Sequence, residues 1–396
     1  MIKKLTLAAS VSALATSAAF AGGHCNGSGI SSLSAAFPAV EALQDQMEAC
    51  GATTERDQEH KDKINPALEA SPAAYNAVLG ANSTFTAANS AGLVAAITDV
   101  PGVSDLPVSM KVEQDGEVVA IATMANAQHL MVRQDVLDAT GMAMPTTYEE
   151  VVALASKAQE MGLMEYPLTG TYAAGWNLGE EFMNMWQGTG EPMFVNGTES
   201  NINNAAGIAT LEMMKALTDL MNPEFLTFNS DIVQAQFEQG EAGIANLWGT
   251  RAQKVIDGVG ALGADVVMGG APTFGGGSTP ATTIWWDGFF FAANQSDEEL
   301  AAAVDTAIHA AASVLSVDGN AELAVWVIDG YEPTPAAAGV FASAAAGANP
   351  YPMLPHVGAM HTAAGAELAD FLSGNESAAQ ALADIEAAYN AAMAEN

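Results

Sequence analysis

Runs with helical periodicity alternate with short apolar runs along most of the chain. The helical pattern is clearest over 203–221, and capping-box sequences starting at Thr147 and Ser296 mark the beginnings of two further helices. Apolar runs of strand length lie at 112–124, 166–169, 243–248, 266–268 and 283–291. The first of these has a polar turn at Asp115-Gly116 and predicts a hairpin. Strands that alternate with helices predict an α/β fold.

The pattern is weaker near both ends of the chain. It predicts an opening helix over 34–49 and a final helix that begins at an Asn375 cap and runs to Met393. Residues 349–356 are Pro-rich.

The run 283–291 predicts a buried strand with a polar interruption at its centre. Successive side chains of a strand point to opposite faces, so Trp285 and Trp286 cannot both face one core, and Asp287 faces the same way as Trp285. A buried carboxylate needs partners, which a ligand could supply. A core strand with a solvated end is equally consistent with the pattern.

The first 21 residues predict an export signal. Lys3 and Lys4 precede an apolar run, and Ala19-Phe20-Ala21 fits a small-x-small cleavage site. We expect cleavage after Ala21 and a mature protein that is freely soluble in the periplasm.

Length and charge narrow the functional class. The chain has 396 residues, which suggests about two domains after removal of the signal. Its net charge of −35, from 46 acidic and 11 basic residues, argues against nucleic-acid partners and anionic membranes. The acidic surface suits a salty medium, and attraction of a cationic ligand is the alternative.

The two cysteines, Cys25 and Cys50, are expected to form a disulfide because the chain is predicted to be exported. That bond would tie the mature N-terminus to the end of the first helix, and the loop length predicts a stabilisation of about 3 kcal/mol.

The motifs of the common enzyme classes are missing from the sequence. Gly275-Gly276-Gly277 lacks the context of a phosphate or dinucleotide loop, and the six histidines are scattered. We therefore expect no catalytic residue, no metal and no cofactor. Among the tryptophans, Trp186 and Trp326 are expected in the core, whereas Trp176 at a helix start and Trp248 at a strand end suit ligand contact.

Four segments carry a resemblance to a known family. They are Glu117–Ala122, Val136–Met142 followed by Pro145–Glu150, Phe237–Ile244 followed by Trp248, and Tyr331–Thr334. Together they resemble bacterial extracellular solute-binding proteins of the maltose-binding-like group (family 1), which serve ABC importers. The resemblance covers about 75–395; the region before Leu68 departs from it and lacks the usual opening strand.

The resemblance implies a type II-like periplasmic binding protein fold with two α/β lobes, three hinge crossings and a ligand cleft between the lobes. Lobe one would comprise 22–128 plus 287–328, and lobe two 129–286 plus 329–396. The implied ligand-binding residues are Asn26, Ser28, Asn82, Ser83, Asn126, Gln128, Trp176, Trp248, Trp285, Trp286, Asp287 and Tyr331. Indoles would stack on the ligand, and Asp287 and the amides would bind hydroxyls; Asn82 and Ser83 are equally typical of a turn.

The resemblance also predicts a monomer that delivers a mono- or oligosaccharide to the permease subunits of an ABC transporter. Two other ligand classes stay open. A betaine or polyamine would need a cage of Asp287 and indoles, and an acidic sugar would need Arg133 or Arg251, which we interpret as surface ion pairs. An exported polysaccharide-active enzyme is the remaining alternative. The basic cluster Arg56, Lys61 and Lys63 is interpreted as a solvated face.

Overall fold

The computed structural model describes residues 23–58 and 60–395, so the predicted export signal lies outside the described residues. The described strands are β1 Ser31–Ser34, β2 Thr53–Arg56, β3 Ala77–Ala81, β4 Lys111–Gln114, β5 Glu117–Asn126, β6 Gln128–Arg133, β7 Leu168–Gly170, β8 Phe194–Val195, β9 Glu199–Ser200, β10 Ile244–Trp248, β11 Val266–Met268, β12 Thr283–Phe291, β13 Val325–Trp326 and β14 Asn349–Pro350. The described α-helices are α1 Pro38–Ala49, α2 His60–Glu69, α3 Asn82–Ser90, α4 Gln134–Thr140, α5 Tyr148–Glu160, α6 Trp176–Gln187, α7 Ala205–Thr218, α8 Ser230–Glu238, α9 Ala252–Ala261, α10 Asp297–Val314, α11 Ala338–Ala345, α12 Pro355–Leu372 and α13 Ala378–Glu395.

The first lobe is built on a mixed sheet with the strand order β13-β5-β12-β3-β1-β2, to which β4 and β14 add at β5 and β12. β1 runs parallel to β2 and β3, whereas β12 is antiparallel to both β3 and β5. Helices α1 and α10 pack together and contribute buried apolar residues to a shared core that includes Leu43, Ile121 and Phe289.

The second lobe is built on a smaller sheet with the order β11-β6-β10-β7. β10 pairs antiparallel with β6 and parallel with β7. Helix α12 packs against α6 and α13, and this lobe's core contains the fully buried Trp186 and Phe182. Thus each sheet has its own apolar core, as expected of a chain too long for one.

The chain passes between the lobes three times. β5 ends at Asn126 and β6 begins at Gln128, with only Ala127 between them. β12 begins beside the second lobe's core, where Trp285 packs, and pairs with β5 of the first sheet from Trp285 onward, with a register shift between Asp287 and Gly288. After β13 the chain returns to form α11, α12 and α13. This arrangement confirms the predicted α/β fold with two lobes.

Several local predictions are confirmed. β11 and β12 have the predicted bounds, and β4 and β5 form the predicted hairpin around Asp115, whose φ is 53°. Both capping boxes are present, at Thr147 and Ser296. Trp186 and Trp326 are buried, as predicted.

The predicted Cys25–Cys50 disulfide is also present. Cys50 directly follows α1, so the bond ties the start of the described chain to the end of that helix.

The opening helix begins later than predicted because a strand precedes it. β1 is Ser-Ser-Leu-Ser, and its polar composition conceals a central parallel strand whose last three residues are buried. Its hydroxyls find protein partners: Ser32 Oγ accepts from Gln44 Nε2 at 3.1 Å, and Ser34 Oγ donates to the Ala35 carbonyl at 2.8 Å. Satisfied hydrogen bonds remove most of the cost of burying these groups.

Near the C-terminus one helix was not predicted and one predicted cap is wrong. The Pro-rich segment leads directly into the 18-residue helix α12, because Pro355 occupies its first position, where a missing N–H costs nothing. The cap before α13 is Ser377, whose Oγ accepts from the Gln380 amide at 3.2 Å, whereas the Asn375 side chain donates to Asp370.

Among the helices of the described residues, none is both long and apolar enough to cross a membrane.

Candidate ligand-binding cleft

A cavity of about 620 Å³ lies between the two lobes. The first lobe contributes polar side chains around α2 together with Ala35, Phe37 and Ala81. The second lobe contributes indoles, amides and hydroxyls from α6, α8 and the end of β10, and the crossing strands contribute Asn126, Trp285 and Asp287. The residues that line the cavity are Ala35, Phe37, Gln58, His60, Lys61, Asp62, Ala81, Asn126, Ala174, Trp176, Asn177, Asn229, Ser230, Asp231, Trp248, Thr250, Arg251, Trp285 and Asp287.

Three indoles from three separate elements form one wall of this cavity. Trp176 is the first residue of α6, Trp248 the last of β10, and Trp285 lies in β12. The rings of Trp176 and Trp248 are nearly parallel with centroids 6.4 Å apart, and the ring of Trp285 meets each of them edge-on at 5.6 Å. Such a wall offers both flat faces and edges to an apolar ligand surface.

Close packing of α12 against α6 fixes the position of Trp176. A Cβ at Gly179 would lie 2.3 Å from the His361 carbonyl oxygen, and a Cβ at Gly365 would lie 2.2 Å from the Gly175 carbonyl oxygen. Only glycine permits this approach. It brings the His361 ring to 4.9 Å from that of Trp176.

A buried polar layer supports the aromatic wall. Trp285 Nε1 donates to Glu180 Oε1 at 3.1 Å, and His361 Nε2 lies 2.8 Å from the Trp176 carbonyl oxygen, to which it donates. The Tyr351 ring packs on Trp285 with centroids 4.1 Å apart. These contacts fix the orientations of two of the three indoles.

Burial shifts the pKa values of both titratable groups of this layer, Glu180 and His361, toward favouring their neutral forms. Burial, with the charge of Glu181 nearby, raises the pKa of Glu180 well above its usual value, and burial lowers the pKa of His361 to about 4. The neutral His361 leaves Nδ1 as an acceptor, 3.6 Å from Glu180 Oε2 and 3.4 Å from the Tyr351 hydroxyl. The raised pKa of Glu180 thus favours the form whose carboxyl can donate toward this nitrogen.

Asp287 presents a carboxyl group to the cavity. The residue is 8% exposed, and its side chain makes no hydrogen bond to any other described residue. Burial raises the pKa of Asp287 to about 7, against the opposing charge of Lys61. A nearly buried carboxyl without a hydrogen-bond partner is suited to accept one from a ligand hydroxyl or ammonium group.

Two basic residues that we predicted to lie at the surface, Lys61 and Arg251, line the cavity. Lys61 is exposed, as expected for a solvated face, but it also lines the cavity, with Nζ 3.3 Å from the centroid of the Trp176 ring. Arg251 also lines it, and its Nη1 lies 2.7 Å from Asp231 Oδ1. The ion pair of Arg251 is confirmed, but its side chain is only 14% exposed.

The other basic residues behave as predicted. Arg56 and Lys63 form ion pairs at the surface, Arg56 with Asp45 and Glu48, and Lys63 with Glu55. Arg133 pairs with Asp135 and is not among the cavity-lining residues.

Five of the twelve predicted ligand-binding residues line the cavity: Asn126, Trp176, Trp248, Trp285 and Asp287. The alternation argument for β12 is confirmed, since Trp285 and Asp287 face the cavity while Trp286 packs on Phe85 at 5.4 Å.

The seven other predicted residues lie outside the cavity lining. Gln128 is fully buried one layer below, where it bonds to Glu181 and Asn184. The remaining six are Asn26 and Ser28 in the exposed loop beside the disulfide, Asn82 and Ser83 at the start of α3, Trp286 on the far face of β12, and half-buried Tyr331. For Asn82 and Ser83, the turn interpretation is replaced by a helix start.

The sequence analysis missed several cavity residues. Asn177 directly follows Trp176, and Thr250 and Arg251 closely follow Trp248. Because Trp176 and Trp248 were already predicted to contact the ligand, their neighbours in the sequence could have been predicted too. Asn229 is the N-cap of α8, a position that was not predicted to bind the ligand. No sequence pattern indicated that Lys61 lines the cavity, because helix α2 was not predicted.

Comparisons with known proteins agree with this architecture. The sequence profile of the family described as "Bacterial extracellular solute-binding protein" matches residues 54–304, more than half of the chain. Among curated protein sequences, none matches the chain.

Solved structures resemble the chain in fold at low sequence identity. An ABC transporter solute-binding protein from Agrobacterium radiobacter in complex with ribitol is 18% identical, with a TM-score of 0.76 over 91% of this chain and 98% of that one. One from Agrobacterium vitis with bound D-mannitol is 17% identical, with a TM-score of 0.75 over 92% and 98%. A maltose-bound protein from T. maritima is 17% identical, with a TM-score of 0.73 over 91% and 98%.

The length of the family match, the two-lobed fold and the cavity between the lobes lead to one assignment. The family is one of binding proteins rather than enzymes, in accord with the missing catalytic motifs. The chain belongs to the bacterial extracellular solute-binding protein family.

Proposed function

We propose that the protein binds a neutral sugar or polyol in the interlobe cleft and delivers it to an ABC importer. The observation that supports this most strongly is the sharing of one cavity by three indoles and the carboxyl of Asp287. Related folds with bound ribitol, D-mannitol and maltose are consistent with it.

The chemistry of the cavity suits a polyhydroxylated solute. Indole faces pack against the C–H faces of sugar rings, while amides such as Asn177 and Asn229 both donate to and accept from hydroxyls. Arg251 is neutralised by Asp231, which weakens the case for an acidic sugar. A cavity of about 620 Å³ is in the size range of small-ligand sites.

The second large cavity is a weaker candidate. It measures about 500 Å³ and lies between the end of α6 and the start of α12, away from the cavity that the crossing strands line. Closure of the lobes would not enclose a ligand there. Its lining includes Phe194, Leu354 and His356 but no counterpart of the indole wall.

The lobe boundaries proposed are 22–128 plus 287–328 for lobe one and 129–286 plus 329–396 for lobe two. The crossings would act as hinges, so that the solute is trapped when the lobes close. We further propose that the protein works as a periplasmic monomer that docks on permease subunits, with the export signal removed after Ala21.

A thermal-shift screen tests the proposal. The panel holds ribitol, D-mannitol, maltose, glycine betaine, spermidine and glucuronate, each against the wild-type protein and Asp287→Ala. A ligand at 100 times its dissociation constant stabilises the native state by about 2.7 kcal/mol. We expect a shift with a neutral solute, reduced in Asp287→Ala. A shift with none of the neutral solutes, or only with the acidic or cationic ones, would contradict the proposal.

One observation favours a second candidate, a cationic solute such as a betaine or polyamine. The Lys61 ammonium already lies 3.3 Å from the Trp176 ring centroid, in a cavity that also holds Asp287. This wall therefore accommodates a cation–π contact. A thermal shift restricted to glycine betaine or spermidine would select this candidate.

A further inference from the structure

Lys61 connects the two lobes across the cleft. The residue lies near the start of α2 in the first lobe, whereas Trp176 begins α6 in the second. The Nζ of Lys61 lies 3.3 Å from the centroid of the Trp176 ring. At that distance the ammonium group fills the space directly above the indole, where the face of a stacked sugar ring would also lie.

We propose that Lys61 is a specificity-determining residue that occupies the Trp176 face itself, so that a solute must displace its ammonium to stack there. The inference rests on the proposed function, because it concerns the same cleft. The Lys61 ammonium competes with the solute for the face of the Trp176 ring. Its contact with Trp176 also holds the two lobes together before the solute enters.

Titratable groups near Trp176 interact electrostatically with the Lys61 ammonium. The charge of Lys61 acts to lower the pKa values of Asp287 and Glu180, against the larger effect of burial, and it helps to lower that of His361. Because the charge of Lys61 acts to lower the pKa values of Asp287 and Glu180, both carboxyl groups lie within electrostatic range of the ammonium. Asp62 lines the same cavity.

Competition between Lys61 and the solute predicts both the direction and the size of the change in solute affinity when the ammonium is removed. Although Lys61 as a whole is exposed, its contact with Trp176 must be broken before a solute can stack. At an exposed site a cation–π contact of this kind reduces the apparent affinity by about 2- to 5-fold. Removal of the ammonium should therefore strengthen solute binding, the opposite of the result for a residue that contacts the solute.

The chain supplies matched variants. Lys61→Met removes the ammonium and keeps most of the apolar stem, and Lys61→Arg keeps a cation able to stack on the indole. Lys63→Met, on the same helix, removes one positive charge from a surface ion pair with Glu55 and serves as the control.

Calorimetric titration with ribitol, D-mannitol and maltose separates the outcomes. We expect Lys61→Met to bind the recognised probe about 2- to 5-fold more tightly than wild type, with Lys61→Arg and Lys63→Met near wild type. Equal or weaker binding by Lys61→Met would overturn the inference while leaving the proposed function intact. Failure of wild type and Lys61→Met alike to bind any probe would defeat the neutral-solute proposal and the competition with it.

A second readout needs no solute. The Lys61 ammonium lies against Trp176, so tryptophan emission of the ligand-free protein should change in Lys61→Met and stay unchanged in Lys63→Met. An emission spectrum of Lys61→Met that matches wild type would overturn the contact on which the inference rests, whatever the solute.

Discussion

Replacing Asp287 with asparagine should change how stability depends on pH. Burial raises the pKa of Asp287 from its ordinary value of 3.8 to about 7, so the native state binds a proton that the unfolded state has already lost. Stability from this group is therefore fully present below about pH 4 and is lost as the pH rises through 7. Asparagine has nearly the same shape and does not titrate.

The size of the effect follows from the pKa values. Each unit of pKa shift corresponds to about 1.4 kcal/mol. Between pH 5 and pH 8 the wild-type protein should lose about 2–3 kcal/mol of unfolding free energy through Asp287 alone, because most of its native-state titration falls in that interval. The residue is 8% exposed, so solvent screening reduces this value little.

Urea denaturation of wild type and Asp287→Asn at both pH values measures the difference. Other buried groups also titrate, including Glu181, whose pKa burial raises to about 7, and His129, whose pKa burial lowers to about 4. Their effects cancel when the two proteins are compared at the same pH. We expect the stability of Asp287→Asn relative to wild type to rise by about 2–3 kcal/mol between pH 5 and pH 8.

Asp318→Asn provides the control, since it removes an exposed carboxylate that does not line the cavity. Its stability relative to wild type should be the same at both pH values. A relative stability of Asp287→Asn that does not change between pH 5 and pH 8 would refute the argument that burial controls the Asp287 carboxyl.

Two further predictions concern stability and binding. Trp285→Ala should cost about 3–5 kcal/mol of unfolding free energy in urea denaturation, because the side chain is buried against Tyr351 and its Nε1 donates to Glu180. It should also abolish solute binding, whereas Trp326→Ala, in the first lobe's core, should lose stability but keep affinity; equal affinity losses in the two variants would contradict the assignment of Trp285 to the cleft. Replacing Cys25 and Cys50 by serine should cost about 3 kcal/mol, because the bond closes a loop of 25 residues, and a loss below about 1 kcal/mol would show that the denatured chain is not constrained as assumed.

The sequence predicted elements well where local signals agreed. The run of β12 combines β-branched and aromatic residues between turn residues, and its observed bounds equal the predicted ones. The capping boxes at Thr147 and Ser296 fixed two helix starts because both hydrogen bonds of a box are local. Alternation along β12 also predicted that Trp285 and Asp287 share a face.

Prediction failed where tertiary contacts replaced local pattern. β1 is buried although three of its four residues are serines, because Gln44 on α1 satisfies one hydroxyl and the sheet satisfies the backbone. Helix α2 has a mostly polar sequence, and its role in the cleft depends on Lys61 reaching a residue more than a hundred positions away. A contact between residues so far apart in the sequence cannot be predicted from the spacing of neighbouring residues.

We propose that a neutral solute binds among the indoles of the interlobe cleft. The decisive experiment is a crystal structure of the wild-type protein with the neutral solute that gives the largest thermal shift. We expect solute density in contact with Trp176, Trp248 and Trp285, with a hydroxyl within hydrogen-bond distance of Asp287. Solute density elsewhere, with the space between these residues filled only by water or by Lys61, would contradict it.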